Sequence, residues 1–163
     1  MPEPILDPRY WRKRLDTAGE EHHAVFKCPL DRWRRIEEKH RRILATTILD
    51  HHSVLDAGCG WGRLLSLMPS TWDGTYVGVD LSTDFITKAA GRYPGRMFMV
   101  ADLRQLPLGV IQIFDWAVLV SVRPMVKRNI GESQWDIMEK GLRAVANRLL
   151  YLEYDEDDEG SVE

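Results

Sequence analysis

The chain has 163 residues, of which 44% are hydrophobic and 29% are charged, and its formal net charge is -3. This length and composition suit one globular domain and exclude the disordered and fibrous classes, while the net charge does not favour a nucleic-acid partner. No apolar run approaches the ~20 residues of a membrane-spanning helix, and the N-terminus lacks the core of a signal peptide, so we expect a cytoplasmic protein without a membrane partner.

Residues 1–30 form an N-terminal arm whose weak periodicity predicts an irregular or partly helical segment. From Arg9 to Arg42 the chain carries eleven Lys or Arg and six Asp or Glu. A solvated helix face is the simplest interpretation, and attraction of an anionic substrate or a nucleic acid is the alternative. Ring side chains of the arm would either close as a lid over a bound molecule or clip the arm onto the domain: Tyr10, Trp11, His22, His23 and Phe26.

Residues 31–155 are predicted to form the single domain. Asp31 is placed as the N-cap of a helix in which apolar residues recur at helical spacing. Ser82 would cap a later helix, and Ser133 with Asp136 resembles a capping box for the last one. Short apolar strands alternate with these helices, and we expect them at 53–58, 75–80, 96–101, 114–121 and 148–154.

This alternation predicts a parallel sheet with helices on both faces, and right-handed crossovers make it doubly wound. The expected fold is therefore α/β and Rossmann-like, with about five mostly parallel strands in the order 3-2-1-4-5 and an N-terminal helical arm. Residues 156–163 would be a frayed acidic tail. The fifth strand would then have an open edge, and we expect the arm or the second subunit of a homodimer to cover it.

The most informative segment is a strand that runs into three glycines at alternate positions, Gly58, Gly60 and Gly62. Glycines there let the backbone turn tightly and let a ligand approach the main chain. The following helix N-terminus offers free N–H groups, and the strand order reverses at this edge, where open α/β sheets bind ligands. The spacing differs from the dinucleotide fingerprint, and no phosphate-binding lysine follows.

Acidic residues mark the ends of three successive strands: Asp56, Asp80 and Asp102. Asp80 lies about 20 residues beyond the glycine turn, where a carboxylate can accept hydrogen bonds from a ribose diol. Asp102 could accept one from an adenine amino group. We expect all three to meet in one crevice. Cys28 and Cys59 lack metal-ligand spacing, and the histidine pairs lack acidic or cysteine neighbours, so no metal site is predicted.

The segments VLDAGCGWG, YVGVDLS, VADLRQLP and FDWAVLVS resemble the class I S-adenosylmethionine-dependent methyltransferases in order and distance, over roughly residues 53–155. The resemblance implies a methyltransferase with S-adenosylmethionine as cofactor and S-adenosylhomocysteine as product. It implies that Asp56 holds the methionine amino group, Asp80 the ribose and Asp102 the adenine. The implied cofactor-binding residues are Asp56, Gly58, Cys59, Gly60, Gly62, Asp80, Leu81, Asp102 and Leu103.

Methyl transfer from a sulfonium is an in-line displacement, so alignment of the acceptor matters most and no catalytic base is assigned. Arg123 would either clamp an anion or form a surface ion pair, and Glu153 or Asp155 would either act as a base or begin the acidic tail. The acceptor or lid residues are expected to be Tyr10, Trp11, His23, Ser121 and Arg123.

A small-molecule acceptor, anionic in character, is the leading hypothesis. A catalytically silent S-adenosylmethionine-binding regulatory subunit and an RNA- or protein-directed methyltransferase are the alternatives. A nicotinamide oxidoreductase is disfavoured by the glycine spacing.

Overall fold

The computed structural model describes residues 5–17, 28–107, 113–154 and 161–162. The described helices are α1 Pro8–Thr17, α2 Leu30–Thr47, α3 Arg63–Leu67, α4 Thr83–Arg92, α5 Val122–Ile130 and α6 Glu132–Val145, with a 3₁₀ turn at Leu103–Gln105. The described strands are β1 Val54–Ala57, β2 Tyr76–Asp80, β3 Met97–Val100, β4 Phe114–Val120, β5 Ala146–Leu152 and β6 Ser161–Val162.

The described strands form one sheet in the order β3-β2-β1-β4-β5-β6. The first five are parallel, which confirms the predicted doubly wound sheet and its 3-2-1-4-5 order. In register, Asp56 of β1 lies opposite Gly78 on one side and Val118 on the other. β1 is therefore central, and all four of its residues are buried.

Side-chain alternation along the central strands divides the core between the two faces of the sheet. Leu55 and Ala57 belong to one buried cluster, which includes Trp135 and Leu142 of α6. Val54 points to the other cluster, on the side of α2 and α3, whose buried members include Leu44, Leu64, Trp72, Trp116 and Leu150. Helices thus cover both faces, and the carboxyl ends of the strands remain free to build a site.

Two helix starts differ from the predictions. α2 begins at Leu30 after Pro29, whose carbonyl accepts the bond from Trp33, so the expectation that Asp31 is the N-cap was wrong. α6 begins at Glu132 without a side-chain cap in the described structure, so the capping box at Ser133 was also wrong. Here the N-cap is Gly131, whose positive φ of 96° glycine adopts readily, and the helix starts two residues earlier than predicted. Other caps agree: Ser82 Oγ accepts a hydrogen bond from the Phe85 N–H, as predicted.

Two segments form structure that was not expected. β4 ends at a left-handed residue, Ser121 with φ of 56°, after which α5 begins at once. In the acidic tail, Ser161 and Val162 pair antiparallel with Tyr151 and Leu150. The tail is therefore not wholly frayed, and the chain itself pairs this part of the β5 edge, where we had expected the arm or a second subunit. None of the described helices is both long enough and apolar enough to cross a membrane.

Candidate active site

A cavity of about 830 Å³ lies at the carboxyl ends of the parallel strands, with further walls from α1, α2 and α5. Gly62 is the one predicted cofactor residue that does not line it; it precedes α3 with φ of 80°, and a Cβ there would lie 3.0 Å from the ring of Tyr93. The others all line the cavity: Asp56, Gly58, Cys59, Gly60, Asp80, Leu81, Asp102 and Leu103.

The glycine turn is fixed by backbone hydrogen bonds, and its backbone faces the cavity without side chains to cover it. The N–H groups of Gly58 and Cys59 both donate to the Val79 carbonyl, at 2.8 and 2.9 Å. Gly60 has φ of 53°, and a Cβ built on it would meet no atom of the described residues within 4 Å. A ligand can therefore approach the backbone at Gly60, where any side chain would stand in its way.

The carboxylate of Asp80 joins β2 to the glycine turn. One oxygen accepts from the Gly60 N–H at 2.9 Å, and the other from the Ser82 N–H at 2.8 Å. Burial raises the pKa of Asp80, and these backbone bonds oppose the rise. Each carboxylate oxygen can accept more than one hydrogen bond, so Asp80 can still bind a ligand hydroxyl.

Asp56 is a buried carboxylic acid, 1% exposed, at the base of the cavity. Its Oδ2 accepts a hydrogen bond of 2.7 Å from the Tyr76 hydroxyl. Burial raises the pKa of Asp56 to about 7, and the charge of Asp80 adds to the rise, while the Tyr76 bond and the charge of Arg63 oppose it. Near neutral pH, a cation bound beside Asp56 would stabilise the ionised form.

Asp102 is held by its neighbour Arg104, a pairing that was not predicted. The Arg104 backbone N–H and guanidinium both donate to the Asp102 carboxylate, with Nε at 2.9 Å from Oδ2. These bonds lower the pKa of Asp102 and fix it at the start of the 3₁₀ turn. Asp102 therefore remains ionised and faces the cavity with part of its hydrogen-bonding capacity already used.

The Cys59 thiol does not have the character of a nucleophile. Cys28 and Cys59 are both buried and are not joined by a disulfide. Burial raises the pKa of the Cys59 thiol, and the charges of Asp56 and Asp80 raise it further, so the reactive thiolate is disfavoured. Among the residues that the structure describes, no three His, Cys, Asp or Glu side chains converge on a possible metal position.

The helix of the N-terminal arm packs against the domain and also lines the cavity. Trp11 lies 6.0 Å from Phe85 of α4, between ring centroids, and its Nε1 donates to the Ile5 carbonyl at 2.8 Å. Tyr10, Trp11 and Arg14 are on the cavity wall. The arm is thus fastened by an aromatic contact at the place predicted for a lid. His22, His23 and Phe26 lie outside the described residues.

The side of the cavity beyond β4 and β5 contains the predicted acceptor residues Ser121, Arg123 and Glu153. Arg123 Nε lies 3.6 Å from Glu153 Oε1, and the guanidinium stands 4.1 Å from the centroid of the Tyr151 ring. Ser121 Oγ accepts the Tyr154 N–H at 2.9 Å. The structure therefore brings these residues together, with Arg123 and Glu153 as an ion pair. Asp155 lies outside the described residues.

Arg63 lines the same cavity and was missed by the sequence analysis. Its side chain is 10% exposed, lies over the ring of Trp33 at 4.4 Å and donates from Nε to Glu37 at 3.3 Å. The sequence contained one indication of its importance. Arg63 is the first residue of α3, and the helix dipole disfavours a cation at that end of a helix. An arginine in that position suggests a role other than helix stabilisation.

Comparisons with known proteins agree with this geometry. Residues 54–132 match the family model described as a methyltransferase domain. Trans-aconitate 2-methyltransferase of Rhodopseudomonas palustris (strain BisA53) is 37% identical over 82 residues, which cover 48% of this chain and 32% of that protein. The chain thus spans about a third of the length of this curated relative.

Two solved structures share the fold at lower identity. A TehB-like S-adenosylmethionine-dependent methyltransferase of Corynebacterium glutamicum superposes with a TM-score of 0.57 at 22% identity, over 74% of this chain and 68% of that one. Magnesium protoporphyrin IX methyltransferase of Synechocystis PCC 6803, solved with bound S-adenosylmethionine, superposes with a TM-score of 0.56 at 22% identity. This match covers 91% of the present chain and 77% of the other. Residues 54–132 therefore match a methyltransferase domain, and the sheet has the fold of these S-adenosylmethionine-dependent methyltransferases.

Proposed function

We propose that the protein transfers the methyl group of S-adenosylmethionine to a small anionic acceptor, most readily a carboxylate. The division of charge within the cavity carries this proposal. Carboxylates stand at the ends of β1, β2 and β3, under the glycine turn, and suit a cofactor with a sulfonium and an ammonium group. On the rest of the cavity wall, basic residues of the helices outnumber Glu153: Arg14, Arg32, Arg123, Lys127 and Arg128. Such a surface attracts anions.

The residues present fit the cofactor. Gly60 leaves open space over its backbone, and Asp80 and Asp102 lie at the ends of adjacent strands of one crevice. The cavity of about 830 Å³ is near the upper end of the range for small-molecule sites, roughly 300–1,000 Å³. This volume leaves room for a second small molecule beside the cofactor.

The names of relatives point in the same direction. The curated relative is named for trans-aconitate, a carboxylate, and one structural neighbour for magnesium protoporphyrin IX. Both acceptors are small molecules. These names support the acceptor class, and the charged residues of this chain supply the physical reason for preferring an anion.

The proposed mechanism depends on position more than on acid–base chemistry. Bound S-adenosylmethionine supplies a methyl group already activated by the sulfonium. The chain would hold the acceptor in line, while α1 of the N-terminal arm would cover the cavity and exclude water. A carboxylate acceptor has no proton to lose, so no general base is required. Glu153 can then serve to position Arg123.

Calorimetric titration with S-adenosylmethionine and S-adenosylhomocysteine tests the first half of the proposal, and we expect micromolar binding of both. Release of S-adenosylhomocysteine above a no-acceptor control tests the second half. Di- and tricarboxylates, including trans-aconitate, should support release, and neutral phenols and amines of similar size should not. Release with the neutral compounds alone would contradict an anionic acceptor.

A second candidate is a catalytically silent S-adenosylmethionine-binding subunit. The Arg123–Glu153 pair favours it, because both groups predicted for the acceptor side already bind each other. Cofactor binding without product release, across carboxylate, amine, hydroxyl and RNA acceptors, would support this candidate over the enzyme.

A further inference from the structure

Arg63 is a buried cation whose hydrogen-bonding capacity is largely unused. Its Nη1 and Nη2 are both buried, and neither has a hydrogen-bond partner among the described residues. Nε donates to Glu37 at 3.3 Å, and the guanidinium also interacts with the Tyr154 hydroxyl, which opposes the rise in the pKa of Tyr154 that burial causes. A guanidinium carries five N–H donors, and leaving charged donors buried and unpaired is costly, so native structures satisfy them. The unfilled donors therefore indicate a site for an anion.

The surroundings of Arg63 hold the guanidinium in place. Trp33 of α2 lies 4.4 Å from it and Tyr154, after β5, lies 5.3 Å from it, measured to the ring centroids. Together with Glu37, these rings restrain the plane of the guanidinium. An arginine fixed in this way presents its two terminal nitrogens as a fork, the geometry that binds a carboxylate through two parallel hydrogen bonds.

Asp56 supplies the complementary charge. Asp56 and Arg63 line the same cavity on either side of the glycine turn, and they interact electrostatically, since the charge of Arg63 lowers the pKa of Asp56. An α-amino acid carries an ammonium and a carboxylate on one carbon. A buried carboxylate and a buried guanidinium beside the same turn match that pair of charges.

We propose that Arg63 binds the α-carboxylate of the methionine end of the cofactor through Nη1 and Nη2, while Asp56 faces the ammonium. This inference rests on the proposed function, because it requires S-adenosylmethionine to occupy the cavity. Arg63 is then a cofactor-binding residue that anchors the end of the cofactor remote from the adenine. A carboxylate of the acceptor is the other source of the same chemistry.

The test compares two ligands by calorimetry: S-adenosylhomocysteine and its decarboxylated analogue, which lacks only the carboxylate. The Arg63→Met variant should lose about ten- to one-hundredfold in affinity for S-adenosylhomocysteine, the scale of a lost hydrogen bond to a charged group. Its affinity for the decarboxylated analogue should stay within about twofold of the parent. Arg63→Lys keeps the charge without the fork, so its discrimination between the two ligands should be intermediate.

Arg96→Met is the matched control. Arg96 also lies over a tryptophan, 5.0 Å from the Trp72 ring, and donates to the Gly74 carbonyl, but it does not line the cavity. This variant should bind both ligands as the parent does. If Arg63→Met is poorly folded, the ratio of the two affinities in Arg63→Lys provides the same test.

Three results would overturn the inference. The first is an equal loss of affinity for both ligands in Arg63→Met, which would make Arg63 merely structural. The second is no loss of affinity for either ligand. The third is unchanged cofactor binding with weaker acceptor binding, which would assign Arg63 to the acceptor. Failure of the parent protein to bind S-adenosylhomocysteine would instead overturn the proposed function itself.

Discussion

The backbone N–H of Gly60 donates a hydrogen bond of 2.9 Å to Oδ2 of Asp80, so the acid that ends β2 also shapes the turn that follows β1. The other oxygen of Asp80 accepts from the Ser82 N–H at the start of α4. One carboxylate thus connects the glycine turn, the second strand and the next helix. The residue expected to bind a ribose is therefore also part of the framework of the site.

Asp80→Ala should weaken S-adenosylhomocysteine binding by ~1.5–3 kcal/mol, because a charged hydrogen-bond acceptor is lost. It should also lower the Tm, since the N–H groups of Gly60 and Ser82 lose their partner. Asp80→Asn should show both effects, because its amide nitrogen would face one of those two donors. Calorimetry and thermal unfolding measure the two effects separately, and parent-like affinity in Asp80→Ala would refute the placement of the ribose.

Gly60→Ala should reduce S-adenosylhomocysteine affinity by about one hundredfold or more, because the new Cβ would occupy the space over the turn. Gly95→Ala is the matched control. Both glycines have positive φ, 53° and 91°, and a Cβ on either would meet no described atom within 4 Å, but only Gly60 lines the cavity. Both variants should lose similar stability, about 1–2 kcal/mol for a left-handed residue. Equal ligand affinity in the two variants would contradict the prediction.

The parts of the site that were predictable depend on short-range pattern. The strands, the glycine turn and the acids at the strand ends follow from apolar runs and from residue spacing along the chain. The Tyr76–Asp56 bond does not, because it depends on register. Val54 pairs with Tyr76 and Asp56 with Gly78, so Asp56 and Tyr76 are diagonal neighbours on one face. The Phe98 ring and Cys59 Sγ occupy the place that a side chain at Gly78 would take.

The missed features share a different cause. The apolar run of β4 continues into Val122, so the segment resembled the end of a strand, and the left-handed turn at Ser121 leaves no glycine to mark it. Pro124 falls in the first turn of α5, where its missing N–H costs no helical bond. The position of Arg63 between α2 and the residue after β5 is a long-range contact, which local pattern does not encode.

Asp56 should make stability and cofactor affinity depend on pH in opposite directions. Its pKa in the folded protein, about 7, exceeds the ordinary value of 3.8, so the folded state holds the proton more tightly. The resulting stabilisation is complete below about pH 3.8 and is lost as the pH rises through 7. Binding of the cofactor ammonium requires the ionised form, so affinity should fall about tenfold per pH unit below 7.

The Asp56→Asn variant separates the pH effects of Asp56 from those of other titrating groups. Asp80 is one such group, because its pKa is also raised. Asparagine can still accept the Tyr76 hydrogen bond, and it cannot ionise. At pH 8 this variant should therefore have a higher Tm than the parent without ligand, and weak cofactor binding that varies less with pH. Thermal unfolding and calorimetry at pH 6, 7 and 8 provide the comparison, and identical pH profiles in the two proteins would refute the role of Asp56.

Trp11→Ala should release α1 from the domain, because it removes the contact with Phe85 and the hydrogen bond to Ile5. Hydrogen exchange of residues 5–17 should then become faster, and S-adenosylhomocysteine should bind more weakly. Arg12→Ala is the control on the same helix: its exposed ion pair with Asp84, at 3.8 Å, is worth little, so exchange should stay as in the parent. In the parent protein, bound S-adenosylhomocysteine should slow exchange in this helix if the arm closes on the cofactor. If the ligand leaves the exchange rate unchanged, α1 is permanently attached to the domain and does not act as a lid. The acceptor would then enter the cavity past α1 while this helix stays in place.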